Sequence, residues 1–166
     1  MNQTSSMPPT LTSPRALAAL RIAVGVLFII FGEFKVFGAG FTFGGGFQQA
    51  VEAFLKGGTA YPFMLGPLRE VVLPHSVLLA FVVAYGEMCI GLSLVSGILV
   101  RTAGVFGAIY MLLLIFSANY PGADVPLWRY FGTSTEHSGF LLCFITFALS
   151  DSAATWSIRR RHLTRT

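Results

Sequence analysis

Residues Val77–Leu99 read VLLAFVVAYGEMCIGLSLVSGIL, and the fold turns on how this stretch is read. At 1.5 Å per residue, a helix of this length crosses a hydrocarbon core of roughly 30 Å. One carboxylate, Glu87, sits near its middle. At helical spacing Ala80, Ala84, Glu87 and Gly91 fall on one stripe, so the acid shares its face with small residues. Small residues admit a neighbouring helix, which turns that face toward protein and away from lipid. An ionised group at mid-bilayer costs a few kcal/mol, so Glu87 requires a partner or a proton.

Outward from that helix the chain supplies three more apolar runs, near residues 16–38, 102–119 and 136–156. The expectation is an all-α, integral membrane four-helix bundle, with spans at those positions and at 76–99. Composition agrees with it. The chain is 54% hydrophobic and only 11% charged, against about 25% charged in an ordinary soluble protein. Mean hydropathy is +0.71. The net charge of +4 comes from scattered or terminal basic residues, which form no groove-like patch and exclude a nucleic-acid partner. Cys89 and Cys143 lie in separate apolar runs and form no CxxC, so neither a disulfide framework nor a zinc site is expected. Both are read as small core residues.

The first run is preceded by Arg15, which gives it the look of a secretory signal. It is too long for a signal core and carries Arg21 and Lys35, so it is read as a retained helix. Arg21, Gly25, Phe28, Gly32 and Lys35 share one face, while Glu33 points elsewhere. The third run places Gly104, Ala108, Met111, Ile115 and Ala118 on its small face. The fourth aligns His137, Phe144, Ala148 and Asp151; Trp156 then marks a headgroup boundary and Arg159–Arg161 a stop-transfer cluster. Residues 1–14 read as a disordered tail and 159–166 as a basic cytoplasmic tail.

Between the first two spans, FTFGGG (Phe41–Gly46) reads as a flexible break and Gly46–Leu55 as a short amphipathic interfacial helix stopped by Gly57 and Gly58. The following YPFMLGPLREVVLP has three prolines and is too broken to span, which leaves a re-entrant segment or a surface cap. Cations near the span ends set the orientation. Arg15, Arg21, Arg101, Arg159, Arg160, Arg161 and Arg165 fall on one side, and Lys35, Lys56, Arg69 and Arg129 are spread over the long loops of the other. Both termini are therefore expected in the cytoplasm and the two aromatic loops outside it.

If each span is centred in the bilayer, Glu87 sits at the midplane, Arg21 and Asp151 roughly 8 Å toward the cytoplasm, and Lys35 and His137 roughly 12 Å outward. That predicts an inner level of Arg21 with Asp151, extending to Glu87, and an outer level of Lys35 with His137, Glu136 and Glu33. Arg21 has a structural alternative, as a residue that snorkels to the boundary or clasps Asp151 to fix register. Snorkelling cannot rescue a short acid at mid-depth, so Glu87 is the residue most in need of a function.

Two of these stretches carry a family resemblance. RIAVGVLFIIFGEFK (Arg21–Lys35) resembles the first-helix pattern of the DoxX/DoxD-like membrane family, and Glu87 followed by Gly91, Leu94, Gly97 and Arg101 resembles its second. The resemblance extends from Arg21 to about Asp151. It implies a four-helix bundle in the bacterial or archaeal cytoplasmic membrane, with Arg21, Lys35 and Glu87 as the positions carried over. It also implies a function: some members are described as small subunits of thiosulfate:quinone oxidoreductase, others as membrane partners of redox and thiol-stress enzymes.

Two functions follow as expectations, and whether the chain is an enzyme stays open between them. One is a subunit of a quinone-linked redox system, in which Glu87, Lys35 and His137, with Arg21 and Asp151 on the inner level, serve a quinone between the first, second and fourth helices. The electron donor would then be a redox partner protein, because the sequence has no redox cysteine pair or haem-type histidine pair. The other is a non-catalytic anchor or small-molecule carrier with a structural polar core and no cofactor. Either is compatible with a homo-oligomer in the lipid bilayer. The glycines divide the two: Gly25, Gly32 and Gly91 either leave a slot lined by Phe28 and Phe144, or serve close helix packing.

Overall fold

The computed structural model describes residues 13–150. Asp151, Trp156, Arg159–Arg161 and the tail residues 1–12 lie outside the described residues, and with them the expected Arg21–Asp151 clasp. Among the described residues the protein is all-α. Three helices are long and apolar enough to cross a membrane: α1 (Ser13–Phe37), α5 (Ser76–Ser96) and α6 (Val100–Ala118). A shorter apolar helix, α8 (Thr135–Leu149), stands beside them.

Glycine contacts set how these four helices pair. A Cβ on Gly25 would lie 2.9 Å from the Gly91 carbonyl oxygen, one on Gly91 would lie 2.8 Å from the Gly25 oxygen, and one on Gly32 would lie 2.8 Å from the Met88 nitrogen. Sequence numbers rise along α1 as they fall along α5, so the two helices run antiparallel at backbone contact. The same holds for α6 and α8, where a Cβ on Gly104 would approach Ala148 N to 2.6 Å and one on Gly107 would run into the Phe144 ring. Glycine thus serves close packing in both pairs. The slot expected at Gly25, Gly32 and Gly91 does not exist, because backbone of the partner helix fills it.

Between the pairs the contact is made by larger side chains. Phe28 of α1 meets Phe144 of α8 edge-on, centroids 4.9 Å apart and planes at 86°. Val24, Ile90, Leu94, Val100, Ala103, Met111 and Phe147 complete this core. Phe28 and Phe144 face inward as expected, and Ala80, Ala84, Glu87 and Gly91 are all buried. Cys89 corrects the core assignment, since it is exposed on the flank of α5; Cys143 is half-buried.

The long connection folds into a cap. After the short helix α2 (Ala39–Thr42), Gly45 in the left-handed region opens α3 (Gly46–Lys56). Gly57 and Gly58 end α3, the latter at φ 64°. On its polar side Gln48 and Lys56 both donate to Glu52, and these bonds hold the Glu52 carboxyl below its ordinary range. Its apolar side buries Val51 with Ala60 and Leu68. The proline-rich piece is a run of helical turns, Pro62–Met64, α4 (Leu65–Pro67) and Leu68–Val72, packed on α3. It packs against α3 and the end of α6. Tyr61 N donates to Phe116 O at 2.9 Å and Tyr120 N to Thr59 O at 2.7 Å, which tie the cap to the end of α6. The second loop contains α7 (Leu127–Gly132), whose Leu127, Trp128 and Phe131 are exposed. At the opposite end of the bundle, α5 passes to α6 through a tight turn with Gly97 at φ 75° and Leu99 at φ 55°.

Candidate functional site

Glu87 lies mid-way along α5 and is 5% exposed. Its Oε1 accepts from Lys35 Nζ of α1 and from the Tyr110 hydroxyl of α6, the latter at 2.6 Å. Three helices therefore meet on one carboxylate oxygen. The other oxygen, Oε2, is buried and has no hydrogen-bond partner.

The Lys35–Glu87 pair corrects the two-level picture drawn from the sequence. Centring every span in the bilayer put Lys35 roughly 12 Å from Glu87 along the normal. The glycine contacts impose a different register, with Gly32 opposite Met88. Lys35 is three residues past Gly32 and Glu87 one residue before Met88, which leaves an axial offset of roughly 3 Å. The lysine chain closes that gap easily. The Lys35 ammonium also lies 5.4 Å from the centre of the Phe41 ring.

Next to this cluster lies a cavity of about 300 Å³ between the two helix pairs. Lys35, Glu87, Tyr110, Glu136 and His137 supply its polar lining, and Phe28, Phe31 and Phe140 are among its apolar walls. His137 is half-buried and its Nδ1 is without a hydrogen-bond partner. The expected outer level of Lys35, Glu136 and His137 is thus brought together, and Glu87 joins it. Glu33 does not; it is exposed on another face of α1. Arg21 is fully buried, which is incompatible with snorkelling past the bundle surface. It stands fourteen residues before Lys35, roughly 20 Å away along α1, and does not line the cavity.

Tyr110 is the site residue that sequence reasoning missed. Its signal was present: a phenol at mid-length in a helix otherwise nearly devoid of polar side chains, where a buried hydroxyl needs a partner. The expected small face of α6 was drawn through Ala108 instead of Gly107, and Gly107 is where Phe144 makes the close approach.

These features define a multi-pass membrane protein with a buried carboxylate held by a lysine and a tyrosine from neighbouring helices. A DoxX family model matches residues 16–120, and the chain belongs to the DoxX family. The match contains Lys35, Glu87 and Tyr110 and ends before α8. No curated protein and no solved structure matches the chain.

Proposed function

We propose that this DoxX family protein is the membrane subunit of a quinone-linked redox system, and that the cavity beside Glu87 receives the quinone head. The observation that carries the reading is Glu87 Oε2, a buried acceptor without a partner on the wall of a cavity. A buried polar atom left unsatisfied costs about 1–3 kcal/mol, and a ligand hydroxyl would satisfy it. The cavity, at about 300 Å³, is at the lower edge of the ~300–1,000 Å³ that small-molecule sites occupy. Its polar groups set beside phenylalanine walls suit a flat ring with polar atoms at its edge.

A quinone supplies a carrier for electron pairs that takes up protons on reduction; the electrons would come from a redox partner protein. This chain's residues supply the rest. Lys35 and Tyr110 fix Glu87 through Oε1 and leave Oε2 to accept a hydroxyl hydrogen. His137 Nδ1 serves a carbonyl as a donor or a hydroxyl as an acceptor, according to its tautomer. Glu136, exposed beside His137, places a second carboxylate between the cavity and the surface. With both termini cytoplasmic, as the cation distribution supports, this side of the bundle faces outward.

The test is a short-chain quinone titrated into the purified full-length protein in mild detergent, followed by thermal unfolding. Binding at a hundred times the dissociation constant should stabilise by about 2.7 kcal/mol, and Glu87→Gln or His137→Ala should weaken the response. A second reading has its own support. Glu87 Oε1 joins α1, α5 and α6, so the cluster would hold the bundle together in a non-catalytic anchor. Absence of any saturable shift, with no quinone co-purifying, would leave that reading standing.

A further inference from the structure

The polar groups of the inner cavity are not balanced between donors and acceptors. Glu87 is ion-paired with Lys35, so both of its oxygens act only as acceptors. Oε1 is engaged by the Lys35 ammonium and by the Tyr110 hydroxyl, the latter at 2.6 Å. The Phe41 ring, 5.4 Å from that ammonium, favours its charged form and with it the ion pair. Oε2 is buried and has no donor. Glu136 brings a second carboxylate to the same cavity. Tyr110 has committed its single O–H to Glu87, so toward the cavity it too offers only lone pairs. The donors that remain are the other N–H groups of Lys35 and, in one tautomer, His137 Nδ1.

We infer that the cavity selects the reduced, hydroxyl-bearing form of a quinone, the hydroquinone, over the oxidised ring, and that Glu87 Oε2 makes the selection. The inference rests on the function proposed above and adds to it the redox state of the ligand. A carbonyl oxygen only accepts, whereas a hydroxyl oxygen donates one hydrogen bond and accepts others. Every donor in the cavity therefore serves both forms, since Lys35 or a protonated His137 Nδ1 can reach a hydroxyl oxygen as well as a carbonyl. Every acceptor serves the hydroquinone alone. Set against Oε2, a quinone carbonyl would bring two acceptors together where the low dielectric strengthens their repulsion. The sign of the preference is thus independent of the His137 tautomer. Size does not discriminate, because the two forms share one ring and differ by two hydrogen atoms. A site that hydrogen-bonds a ligand hydroxyl rejects the analogue without it, because its own buried polar atom is then left unpaired.

The test compares three probes built on one ring with a single isoprene unit. They are the quinone, its hydroquinone, and the hydroquinone dimethyl ether, which keeps both oxygens and donates nothing. Each is titrated under argon into the full-length protein in mild detergent, and saturable thermal stabilisation reads its affinity. Native protein should bind the hydroquinone at least tenfold more tightly than either other probe. Glu87→Gln replaces the anionic acceptor by a neutral amide, and should weaken hydroquinone binding until the preference is within about twofold. Should Glu87→Gln unfold for want of a partner for Lys35, Lys35→Met with Glu87→Gln carries the same comparison, and the native series decides without either variant. Quinone or dimethyl ether binding as tightly as the hydroquinone would mean that water, not ligand, meets Oε2. That result overturns the inference and leaves the head site standing. A preference that survives Glu87→Gln moves the selection to another acceptor, such as Glu136, and overturns the role of Oε2. If none of the probes binds, the inference and the proposed function fall together.

Discussion

At the scale of the residue, Glu87 Oε1 accepts two hydrogen bonds while Oε2 accepts none. The two donors differ in what their loss should do. Lys35→Met leaves the carboxylate uncompensated at 5% exposure, and breaking a buried pair costs about 3–5 kcal/mol. The expected outcome is a large loss of stability in unfolding titrations in detergent, mostly recovered in Lys35→Met with Glu87→Leu. A double mutant as unstable as Lys35→Met alone would show that the lysine acts elsewhere, for instance on Phe41. Tyr110→Phe removes one hydrogen bond and no charge, and should cost about 1 kcal/mol by the same measurement. Because Tyr110 also lines the cavity, Tyr110→Phe should change quinone affinity more than its stability loss implies. A parallel loss of both would make the tyrosine a structural tie only.

At the scale of the element, the helix pairs depend on glycines whose Cβ atoms have no room. Gly91→Leu must separate α5 from α1, because even its Cβ would stand 2.8 Å from the Gly25 oxygen and from Ile29. Gly107→Leu must likewise displace the Phe144 ring. Overpacking of this kind typically costs about 1–3 kcal/mol. Gly86→Leu, on the same helix as Gly91, should be close to neutral, since its Cβ meets nothing. Thermal unfolding of the three variants side by side checks the contrast. Equal stability across them would deny that the pairs are at backbone contact. The turn between α5 and α6 offers a different prediction. Leu99 holds φ 55°, a region costly to a residue with a Cβ, so Leu99→Gly should stabilise the protein by about 1 kcal/mol.

At the scale of the whole molecule, the cap and the aromatic loop lie at one end of the bundle and the three-residue turn at the other. From the cation asymmetry the turn end is expected in the cytoplasm. In a background lacking Cys89 and Cys143, single cysteines at Ser5 and Thr164 should resist a membrane-impermeant thiol reagent in intact cells. One at Gly122, in the second loop, should react. Reaction at both termini would reverse the orientation. The cavity would then open toward the cytoplasm.

The all-α membrane architecture was legible because hydrocarbon tolerates few backbone solutions, so long apolar runs between turn residues are close to decisive. The buried stripe of α5 was legible for a related reason, since a carboxylate among small residues has only protein to face. The amphipathic α3, with Val51 inward and Glu52 outward, followed from periodicity alone. What sequence could not fix is the register between helices, because it is set by contacts between residues far apart in the chain. Gly32 against Met88 brings Lys35 to Glu87, a pairing that spans fifty-two positions. The same contacts close the slot expected at the glycines and open the real cavity elsewhere, beside Tyr110. Periodicity names the face a residue occupies, whereas only the packed backbones decide how deep its neighbour lies and whether the space between them is filled.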